Sequence, residues 1–506
     1  MLLARFFGVS HMVRPDRVRG ELPTSREAYR NLIDIALPSV AEMVLTSLIG
    51  SIDTMMVGTI GTSAIASVGL VSQPRMLMLC LFMALNIGVT AVVARRKGEG
   101  RRDDANRTLK SALIVEFFLS LVMMALVIPL ANPLMRLAGA KDDTIGAAAQ
   151  YFKILAWMLP FNALTLCINA AQRGVGNTRI TLYCNMTANL VNVFFNFLLI
   201  GGHWGFPKLG VAGAAYATAI GFGVGFVMAV IALERGGRRG SFLHINLRGD
   251  WRPSLKAVLP VFKVGGNAMF EQIALRFGFF VYARVVADLG TDAFAAHQIC
   301  AQFLSLSFTF ADGVGVAGTS LVGQMMGKKR PDLSTVYGKC SQRLALVISL
   351  VLASSIAIFR EPLVRLFITS SEDANAPAVF AMACQVMLIV ALFQPFQMSA
   401  VVFSGCLRGA GDNRFVALVM MICVAGIRPL CSCLAVYVFG WGLIGAWLAS
   451  LIDLNVRLAL VWTRFAGGKW HDIKVYGDDI RHGRHAAGFH ARLAHRLARI
   501  YRKKRP

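Results

Sequence analysis

Two carboxylates lie inside an apolar segment that is long enough to cross a membrane. The segment runs from Pro38 to Gly61 and contains Glu42 and Asp53. A charged side chain near the centre of a bilayer costs at least about 2.5 kcal/mol, so it normally faces the interior of a helix bundle or a water-filled cavity. We therefore predict that this helix binds an ion or a substrate, with simple hydrogen bonding to a neighbouring helix as the structural alternative.

The spacing of the two acids separates their predicted roles. On an ideal helix they lie roughly 17 Å apart along the axis but only about 20° apart around it, so Glu42 and Asp53 share one face at different depths. Glu42 closely follows Pro38 and is predicted to lie near the cytoplasmic interface, where it would bind substrate at the inner mouth. Asp53 lies deep in the membrane, where a functional role is favoured over simple hydrogen bonding to a neighbouring helix.

A third acid, Glu271, lies in the later apolar segment GGNAMFEQIALRFGFF. Aligning Ile60 with Leu289 places Glu271 opposite Glu42 in an internal repeat, whereas an alignment on the two Leu-Pro pairs shifts the match by about two helical turns. Arg276 is well off the face of Glu271 on an ideal helix. We predict a free Glu271 that faces a cavity and meets the substrate, with pairing to another helix as the alternative.

Four asparagines form one stripe on a predicted helix. They are Asn185, Asn189, Asn192 and Asn196, at positions i, i+4, i+7 and i+11. Amides packed between membrane helices often serve only as polar contacts worth about 0.6 kcal/mol each. Amide oxygens also suit Na⁺ or a proton-linked water network, and the spacing alone leaves both interpretations open.

Other charged residues within apolar segments are predicted to be mainly structural. Asp453 and Arg457 stand at i and i+4, the spacing of an ion pair within one helix. Glu116, Asp312 and Arg428 have no partner that the sequence identifies. Asp312 lies beside glycines that permit close helix packing, and a functional role is kept open for it.

The composition is that of a polytopic membrane protein. Of the 506 residues, 56% are hydrophobic and 16% are charged, and the mean hydropathy is +0.59. A net charge of +25 is also typical of nucleic-acid-binding proteins, but here the basic residues lie in short loops and in the two tails. That distribution is typical of the cytoplasmic side of membrane proteins. We therefore expect a lipid bilayer and no nucleic acid as partner.

The apolar pattern predicts an all-α protein with about twelve transmembrane helices, since segments of about 18 to 25 residues can cross a ~30 Å hydrocarbon core. The segments begin near residues 36, 74, 111, 150, 181, 211, 257, 297, 343, 379, 416 and 443. Arginines and lysines concentrate after the second, sixth and eighth segments, which places those loops in the cytoplasm. Both termini are then predicted to be cytoplasmic.

Six residues recur at a constant separation of 235 positions. They are Pro160, Phe161, Arg173, Gly174, Gly176 and Arg179, which reappear as Pro395, Phe396, Arg408, Gly409, Gly411 and Arg414. Shorter similarities at nearly the same separation relate LGVAGAAYAT to WGLIGAWLAS and Gly98 to Gly327. Each half has an even number of spans, so we predict two parallel six-helix repeats with a site between them near the midplane.

The repeat divides the chain into five predicted parts. Residues 1–35 form a cytoplasmic arm, 36–235 the N-lobe, 236–255 a cytoplasmic linker, 256–465 the C-lobe, and 466–506 a basic amphipathic tail suited to anionic lipid. We expect a monomer. The glycine-rich repeated loops lack the Gly-Lys-Ser/Thr ending of a nucleotide-binding loop, so an ion gradient is the predicted energy source.

Several motifs occur together and in order along both lobes. They are the paired loops RGVGNTR and RGAGDNR, the stretch IDTMMVGTIGTSAIASVG, and the segments LGTDAFAAHQI and LVGQMMG. Together they resemble the multidrug and toxic compound extrusion family, from Ile35 to Phe465. The resemblance implies a twelve-helix antiporter of the flippase superfamily that exchanges Na⁺ or H⁺ for organic, usually cationic and amphipathic compounds. We expect no other cofactor and no catalytic residue.

The resemblance also implies the ion-coupling residues. Asp53 matches the aspartate that the family uses in its first helix for cation or proton coupling, and Asn192 matches an asparagine in its fifth helix. Asn196 stands where one branch of the family has an aspartate. We predict that Asp53, Asn192 and Asn196 form the coupling site, with Na⁺ and H⁺ both open.

A second branch of the family has a glutamate in the seventh helix and an aspartate in the tenth. Here the glutamate is Glu271, one turn earlier than in that branch, and the tenth helix offers Gln394 and Gln397. We predict that these three residues, together with Glu42, bind substrate.

The sequence therefore predicts a secondary active multidrug-efflux antiporter of the bacterial inner membrane that works by alternating access and is not an enzyme. The nearest alternative is a flippase or exporter of lipid-linked or anionic metabolites. That function needs several cations in the cavity, for which only Arg276 and Arg428 are candidates. A membrane-embedded enzyme is a more distant alternative, because the outer loops offer only sparse candidates such as Asp142, Asp143 and His203.

Overall fold

The computed structural model describes residues 6–138, 140, 144–238, 241–245, 251, 254–367 and 376–473. All regular structure in these residues is helical, as predicted. The N-lobe contains α1 (Ser25–Gly58), α2 (Thr62–Gly98), α3 (Arg102–Val127), α4 (Ala131–Leu137), α5 (Ile145–Trp157), α6 (Leu159–Gly174), α7 (Thr178–Gly201) and α8 (Val211–Arg238). The C-lobe contains α9 (Leu255–Ala287), α10 (Thr291–Gly327), α11 (Pro331–Ile358), α12 (Arg360–Arg365), α13 (Ala376–Ala410), α14 (Asn413–Met420), α15 (Arg428–Cys433) and α16 (Gly442–Gly467).

The membrane spans agree with the predicted polytopic fold. Ten of the described helices or helix runs are long and apolar enough to cross a bilayer, and α5 with α6, bent by 54°, makes an eleventh. The remaining long helix, α9, has 33 residues, but polar residues such as Asn267, Glu271 and Arg276 lower its hydropathy. With α9 included, the described part of the chain reaches the predicted twelve.

The first helix begins earlier than the apolar pattern predicts. Thr24 caps it: its hydroxyl accepts from the Glu27 backbone N–H at 3.3 Å, and the Glu27 carboxylate accepts from the Thr24 N–H at 3.0 Å. This capping box starts α1 at Ser25 rather than near Ala36. Pro38 therefore lies inside the helix and does not mark its start.

The described part of the N-terminal arm packs on the opposite lobe. Val9, Met12 and Leu32 share an apolar cluster with Leu321 of α10 and Tyr337 of α11. The arm thus contributes to the core at one end of the bundle. Nine of the twenty residues of the predicted linker, and the predicted tail beyond residue 473, fall outside the described residues.

Backbone geometry confirms the internal repeat. Gly176 and Gly411, the second glycines of the two RGxG loops, have φ values of 75° and 95°. Gly61 and Gly290, which precede α2 and α10, have φ values of 141° and 104°. Glycine adopts such positive φ values without the steric cost of a side chain, so both lobes need glycine at equivalent turns.

The two lobes contact each other through α1 and α2 on one side and α9 and α10 on the other. A Cβ atom on Gly98 would collide with the Gln324 carbonyl and lie 2.9 Å from the Gly327 Cα, and a Cβ on Gly313 would lie 2.9 Å from the Val40 nitrogen. These close approaches lie toward the end that carries both described termini and the α2–α3 and α10–α11 connections. We call it the basic end, and the lobes are closed against each other there.

Candidate functional site

Asp53 lies on α1 and faces two asparagines of α7. Its carboxylate is half-buried, whereas Asn192 and Asn196 are buried. The Asn196 Nδ2 donates to Asp53 Oδ1 at 2.7 Å. The three side chains predicted to form the ion-coupling site therefore lie together in the N-lobe, and Asn196 contacts Asp53 directly.

The amide of Asn192 connects this group to a third helix. With its nitrogen facing Asp53, Nδ2 lies 2.9 and 3.0 Å from the two carboxylate oxygens, and Oδ1 accepts from the Thr218 Oγ1 of α8 at 3.1 Å. This orientation satisfies both ends of the amide, because the nitrogen meets acceptors and the oxygen meets a donor. Thr218 is a site residue that the sequence analysis missed.

The donor set suits a monovalent cation or a proton. Asp53 supplies a carboxylate, and Asn192 and Asn196 supply amides. The Asn196 Oδ1 is buried and has no hydrogen-bond partner among the described residues. A buried carbonyl oxygen without a donor is costly. A Na⁺ ion, or a water molecule carrying a proton, beside Asp53 would give this oxygen a partner. The described residues contain no cluster of three or more His, Cys, Asp or Glu side chains that would indicate a multivalent metal site.

Two further side chains near Asp53 were also missed by sequence reasoning. Arg75 of α2 acts on Asp53 electrostatically and lies 5.7 Å from the centre of the Phe222 ring. Tyr151 of α5 is buried close to Asp53, Arg75 and Thr218. The Asp53 region therefore contains a cation as well as an acid. Arg75 is a third intramembrane arginine, in addition to Arg276 and Arg428, which the sequence predicted as cavity candidates.

The asparagine stripe pairs α7 with α1 along its length. Asn185 Nδ2 donates to Glu42 Oε1 at 2.5 Å, and Asn189 Nδ2 lies 3.4 Å from Thr46 Oγ1. Asn196 and Asp53 are separated in sequence by the same number of residues as the other two contacting pairs. The prediction that Glu42 and Asp53 share one face at different depths is confirmed. The stripe is a row of helix contacts at one end and part of the candidate ion site at the other.

Glu42 is held by three groups of its own lobe. Arg173 of α6 lies 3.2 Å from Oε1, and the Thr181 hydroxyl donates to Oε2 at 2.6 Å, in addition to the Asn185 amide. Glu42 is 5% exposed. In this conformation its carboxylate is fully engaged, so the contacts favour the structural alternative over substrate binding.

Glu271 repeats this arrangement in the C-lobe. It is 2% exposed and forms an ion pair with Arg408 of α13, the residue that corresponds to Arg173 in the repeat. The prediction of a free Glu271 facing a cavity was wrong, because the repeated arginine reaches back from the glycine-rich loop to the acid. The repeat relates Glu271 to Glu42 and Arg408 to Arg173, but sequence positions alone do not show that the two side chains meet.

Asp312 is the accessible acid of the C-lobe near this pair. It lies close enough to Glu271 and Arg408 to interact with both electrostatically. Asp312 is exposed, whereas Glu271 is buried. The functional role that the sequence left open for Asp312 is consistent with this position.

Gln394 and Gln397 are fully buried in α13. The Gln394 Nε2 donates to the Val390 carbonyl at 3.1 Å, and neither amide atom of Gln397 has a partner among the described residues. Neither glutamine is accessible in this conformation. Their predicted role in substrate binding therefore requires a different arrangement of the C-lobe.

The predicted pairing of Asp453 with Arg457 was wrong. Arg428, from the preceding helix, donates from Nε and Nη2 to Asp453 Oδ2 at 3.0 and 2.7 Å. Arg457 instead contacts the Met420 sulfur at 3.6 Å. A fork-shaped guanidinium on a facing helix outcompetes the i+4 neighbour because it makes two bonds to the carboxylate. Segments with π-helical hydrogen bonding flank Arg428, at Met421–Ile427 and Leu434–Val438.

Two parallel six-helix lobes, closed against each other at one end and with a half-buried carboxylate among amides in an apolar helix, are the architecture of a membrane transporter. The MatE family model matches residues 38–198 and 268–434, which is more than half of the chain. The protein therefore belongs to the multidrug and toxic compound extrusion family. Members of this family are transporters and not enzymes.

Relatives agree with this assignment, and solved structures share the fold. A probable multidrug resistance protein NorM of Thermotoga maritima is 29% identical over 451 residues, covering 88% of this chain and 93% of that protein. A protein of the same description from Pseudomonas putida is 27% identical over 415 residues, covering 81% and 87%. An outward-facing structure of a multidrug resistance MATE transporter superposes with a TM-score of 0.79 at 20% identity, covering 87% of this chain and 97% of that one. A transporter of the same superfamily from Pyrococcus furiosus, with a binding pocket described as reversed in polarity, gives a TM-score of 0.80, also at 20% identity and with the same coverage.

Proposed function

We propose that the protein is a secondary active antiporter of the bacterial inner membrane that exports organic cations in exchange for Na⁺ or H⁺. The names of the bacterial relatives, which are probable multidrug resistance proteins, support export of varied organic compounds. The basic end would face the cytoplasm, since loops rich in arginine and lysine remain on that side. The protein would act as a monomer, with the lobes moving against each other.

The observation that carries the proposal is the Asp53 group. The intramembrane carboxylate offers negative charge and two oxygens, the amides of Asn192 and Asn196 donate to it, and the buried Asn196 Oδ1 lacks a partner among the described residues. Such an intramembrane acid is by default a candidate for an ion or proton pathway. Na⁺ and H⁺ both fit, because each neutralises the same carboxylate.

A continuous helix connects this group with the contact between the lobes. Asp53 and Val40 lie on the same helix, about 20 Å apart along its axis, and Val40 packs against Gly313 of α10. Ion binding can change the balance between conformations only if the ion binds one of them more tightly. A shift of α1 on ion binding would therefore alter the packing that closes the basic end.

An acid of the C-lobe accounts for the proposed charge of the substrate. Asp312 is exposed, whereas Glu42 and Glu271 are neutralised by arginines. A cationic substrate would compete with the coupling ion through electrostatics, since each carries positive charge into the same bundle. This route does not require the two buried ion pairs to open.

Export of an anionic metabolite remains the second candidate, and a specific observation favours it. Arg75 lies near Asp53, and the Arg276 Nε is buried without a partner among the described residues. Two intramembrane guanidinium groups would suit a phosphate or carboxylate. The same transport assay distinguishes the two substrate classes.

The test uses purified protein in liposomes with an imposed gradient of Na⁺ alone or H⁺ alone. Under the proposal, one gradient drives movement of a cationic dye such as ethidium, and an ionophore that collapses this gradient stops it. A negatively charged dye of similar size should not move. Transport of the anionic dye alone would support the second candidate, and failure of both gradients to move the cationic dye would contradict the antiporter proposal.

A further inference from the structure

A large cavity lies between the lobes at the basic end, beside the crossing of Gly98 and Gly327. It has a volume of about 990 Å³. Residues at the ends of α2 and α10 and at the starts of α3 and α9 line it. Its charged side chains are Arg95, Arg96, Glu99, Arg101, Asp104, Arg107, Lys256, Lys328 and Lys329. The cavity is therefore built from residues of both lobes.

The lining is strongly basic, with seven cationic and two acidic side chains. Both acids are already paired within the N-lobe. Glu99 lies 3.0 Å from Arg96 and 3.3 Å from Arg101, and Asp104 lies 2.5 Å from Arg101. The acids therefore cannot neutralise cations contributed by the C-lobe.

Four of the cations form no ion pair with any described residue. They are Arg107 of the N-lobe and Lys256, Lys328 and Lys329 of the C-lobe, and all four are exposed. Closing the basic end brings these like charges from two lobes toward one cavity. Like charges at short range oppose that closure, and nothing among the described residues compensates for it.

We propose that this cavity binds a phosphate-bearing anion, and that the bound anion stabilises the conformation closed at the basic end. Guanidinium groups bind phosphate oxygens with paired hydrogen bonds, and lysine ammonium groups add point charges. An anion that contacts cations of both lobes binds the closed conformation more tightly than an open one, which is the condition for shifting the balance. The inference goes beyond antiport and concerns a site remote from Asp53.

Two sources carry this chemistry at a membrane surface. One is the headgroup of an anionic phospholipid and the other is a soluble phosphate compound. The experiment has one arm for each. The first arm adds pyrophosphate to full-length protein in detergent, with potassium chloride at matched ionic strength as reference. The second compares nanodiscs of phosphatidylglycerol with nanodiscs of phosphatidylcholine.

The readouts are thermal unfolding and hydrogen exchange at residues 98–102 and 327–331. The wild-type midpoint should rise by about 3 °C or more at saturating anion in at least one arm, with slower exchange in both connections. The variant Lys256→Gln/Lys328→Gln should bind at least about tenfold more weakly, because it removes two of the unpaired cations. The matched control is Arg26→Gln/Arg30→Gln, which removes the same charge from exposed residues outside the cavity and should respond as the wild type does.

A response to pyrophosphate that the Lys256/Lys328 variant loses supports a soluble ligand, and a response confined to phosphatidylglycerol supports a lipid headgroup. No response of the wild type in either arm would overturn the proposal. An equal response of the wild type and the Lys256/Lys328 variant would also overturn it. An equal loss of response in the Lys256/Lys328 variant and the Arg26/Arg30 control would overturn it too, because the effect would then come from general surface charge. Binding is measured without any ion gradient, so the result does not depend on whether the antiporter proposal holds.

Discussion

The N-lobe carries Glu42 on α1 and, eleven residues later, Asp53; the C-lobe carries Glu271 on α9 and, eleven residues later, Tyr282. The two glutamates are equivalent in structure as well as in sequence, since each is buried and paired with the arginine of its own repeated loop. The residues eleven positions later are not equivalent. Asp53 is half-buried among amides, whereas Tyr282 is buried.

The surroundings differ in the same way. In the N-lobe, Asp53 forms a group with Thr218. In the C-lobe, the ring centre of Tyr282 lies 5.9 Å from the guanidinium carbon of Arg428. Tyr282 also lies near Ser450, which corresponds to Thr218 in the repeat. Arg428 is in turn neutralised by Asp453. The glutamate–arginine pair is thus a shared structural feature, and an acid eleven residues after the glutamate is a specialisation of the N-lobe. We infer that ion coupling belongs to the N-lobe.

The largest effect on stability is expected from Arg428→Met in the C-lobe. This change leaves Asp453, which is fully buried, without its partner, and breaking a buried pair from one side costs about 3–5 kcal/mol. Thermal unfolding in detergent measures the loss. The double variant Arg428→Met/Asp453→Leu should recover most of it, because no uncompensated charge remains. Equal destabilisation by the single and double variants would show that the pair is not the source.

A smaller effect, on ion affinity, is expected from Asn196→Ala in the N-lobe. It removes the amide that donates to Asp53 at 2.7 Å, and a hydrogen bond to a charged group is worth about 1.5–3 kcal/mol. The half-saturating concentration of the driving ion should change by roughly tenfold or more. Asn189→Ala, on the same stripe but 3.4 Å from Thr46, is the matched control and should leave that concentration near the wild-type value.

The smallest effects are expected from Glu42→Gln and Glu271→Gln, and they should be similar. Each substitution weakens an ion pair whose arginine is partly exposed, so each should lower the free energy of unfolding by about 1–2 kcal/mol. Transport should remain driven by the same ion with an unchanged half-saturating concentration. Loss of ion-driven transport in Glu271→Gln alone would contradict the inference that ion coupling belongs to the N-lobe, because it would place an ion site in the C-lobe.

Asp53 and the asparagine stripe stood out in the sequence as polar residues in apolar helices, and the family resemblance joined Asp53, Asn192 and Asn196 into one predicted site. The spacing of Asn192 and Asn196 on one face of α7 was enough to bring them toward the same partner. Thr218 was missed because it lies among small residues of α8. A threonine hydroxyl that can donate to a carbonyl of its own helix does not stand out in an apolar sequence. Arg75 was missed because it follows Pro74, which the apolar pattern treated as a helix start although α2 begins at Thr62.

The errors in pairing have a common physical cause. The i+4 rule for Asp453 and Arg457 considers one helix, whereas Arg428 reaches Asp453 from the preceding helix with two hydrogen bonds. Likewise, Glu271 was predicted to be free because its partner, Arg408, is 137 residues away. Tertiary contacts of this kind depend on the depth at which helices cross. A repeat alignment that leaves the register uncertain by about two turns does not fix that depth.

The most direct test of a coupling site in the N-lobe alone compares Asp53→Asn with Tyr282→Phe, substitutions at equivalent positions of the two lobes. Ion-driven dye transport is measured in liposomes, with correct folding checked by thermal unfolding. We predict that Asp53→Asn falls to the rate of protein-free liposomes while remaining folded, because the carboxylate that holds the ion is lost, and that Tyr282→Phe transports at close to the wild-type rate. Ion-driven transport that persists in Asp53→Asn would contradict the account.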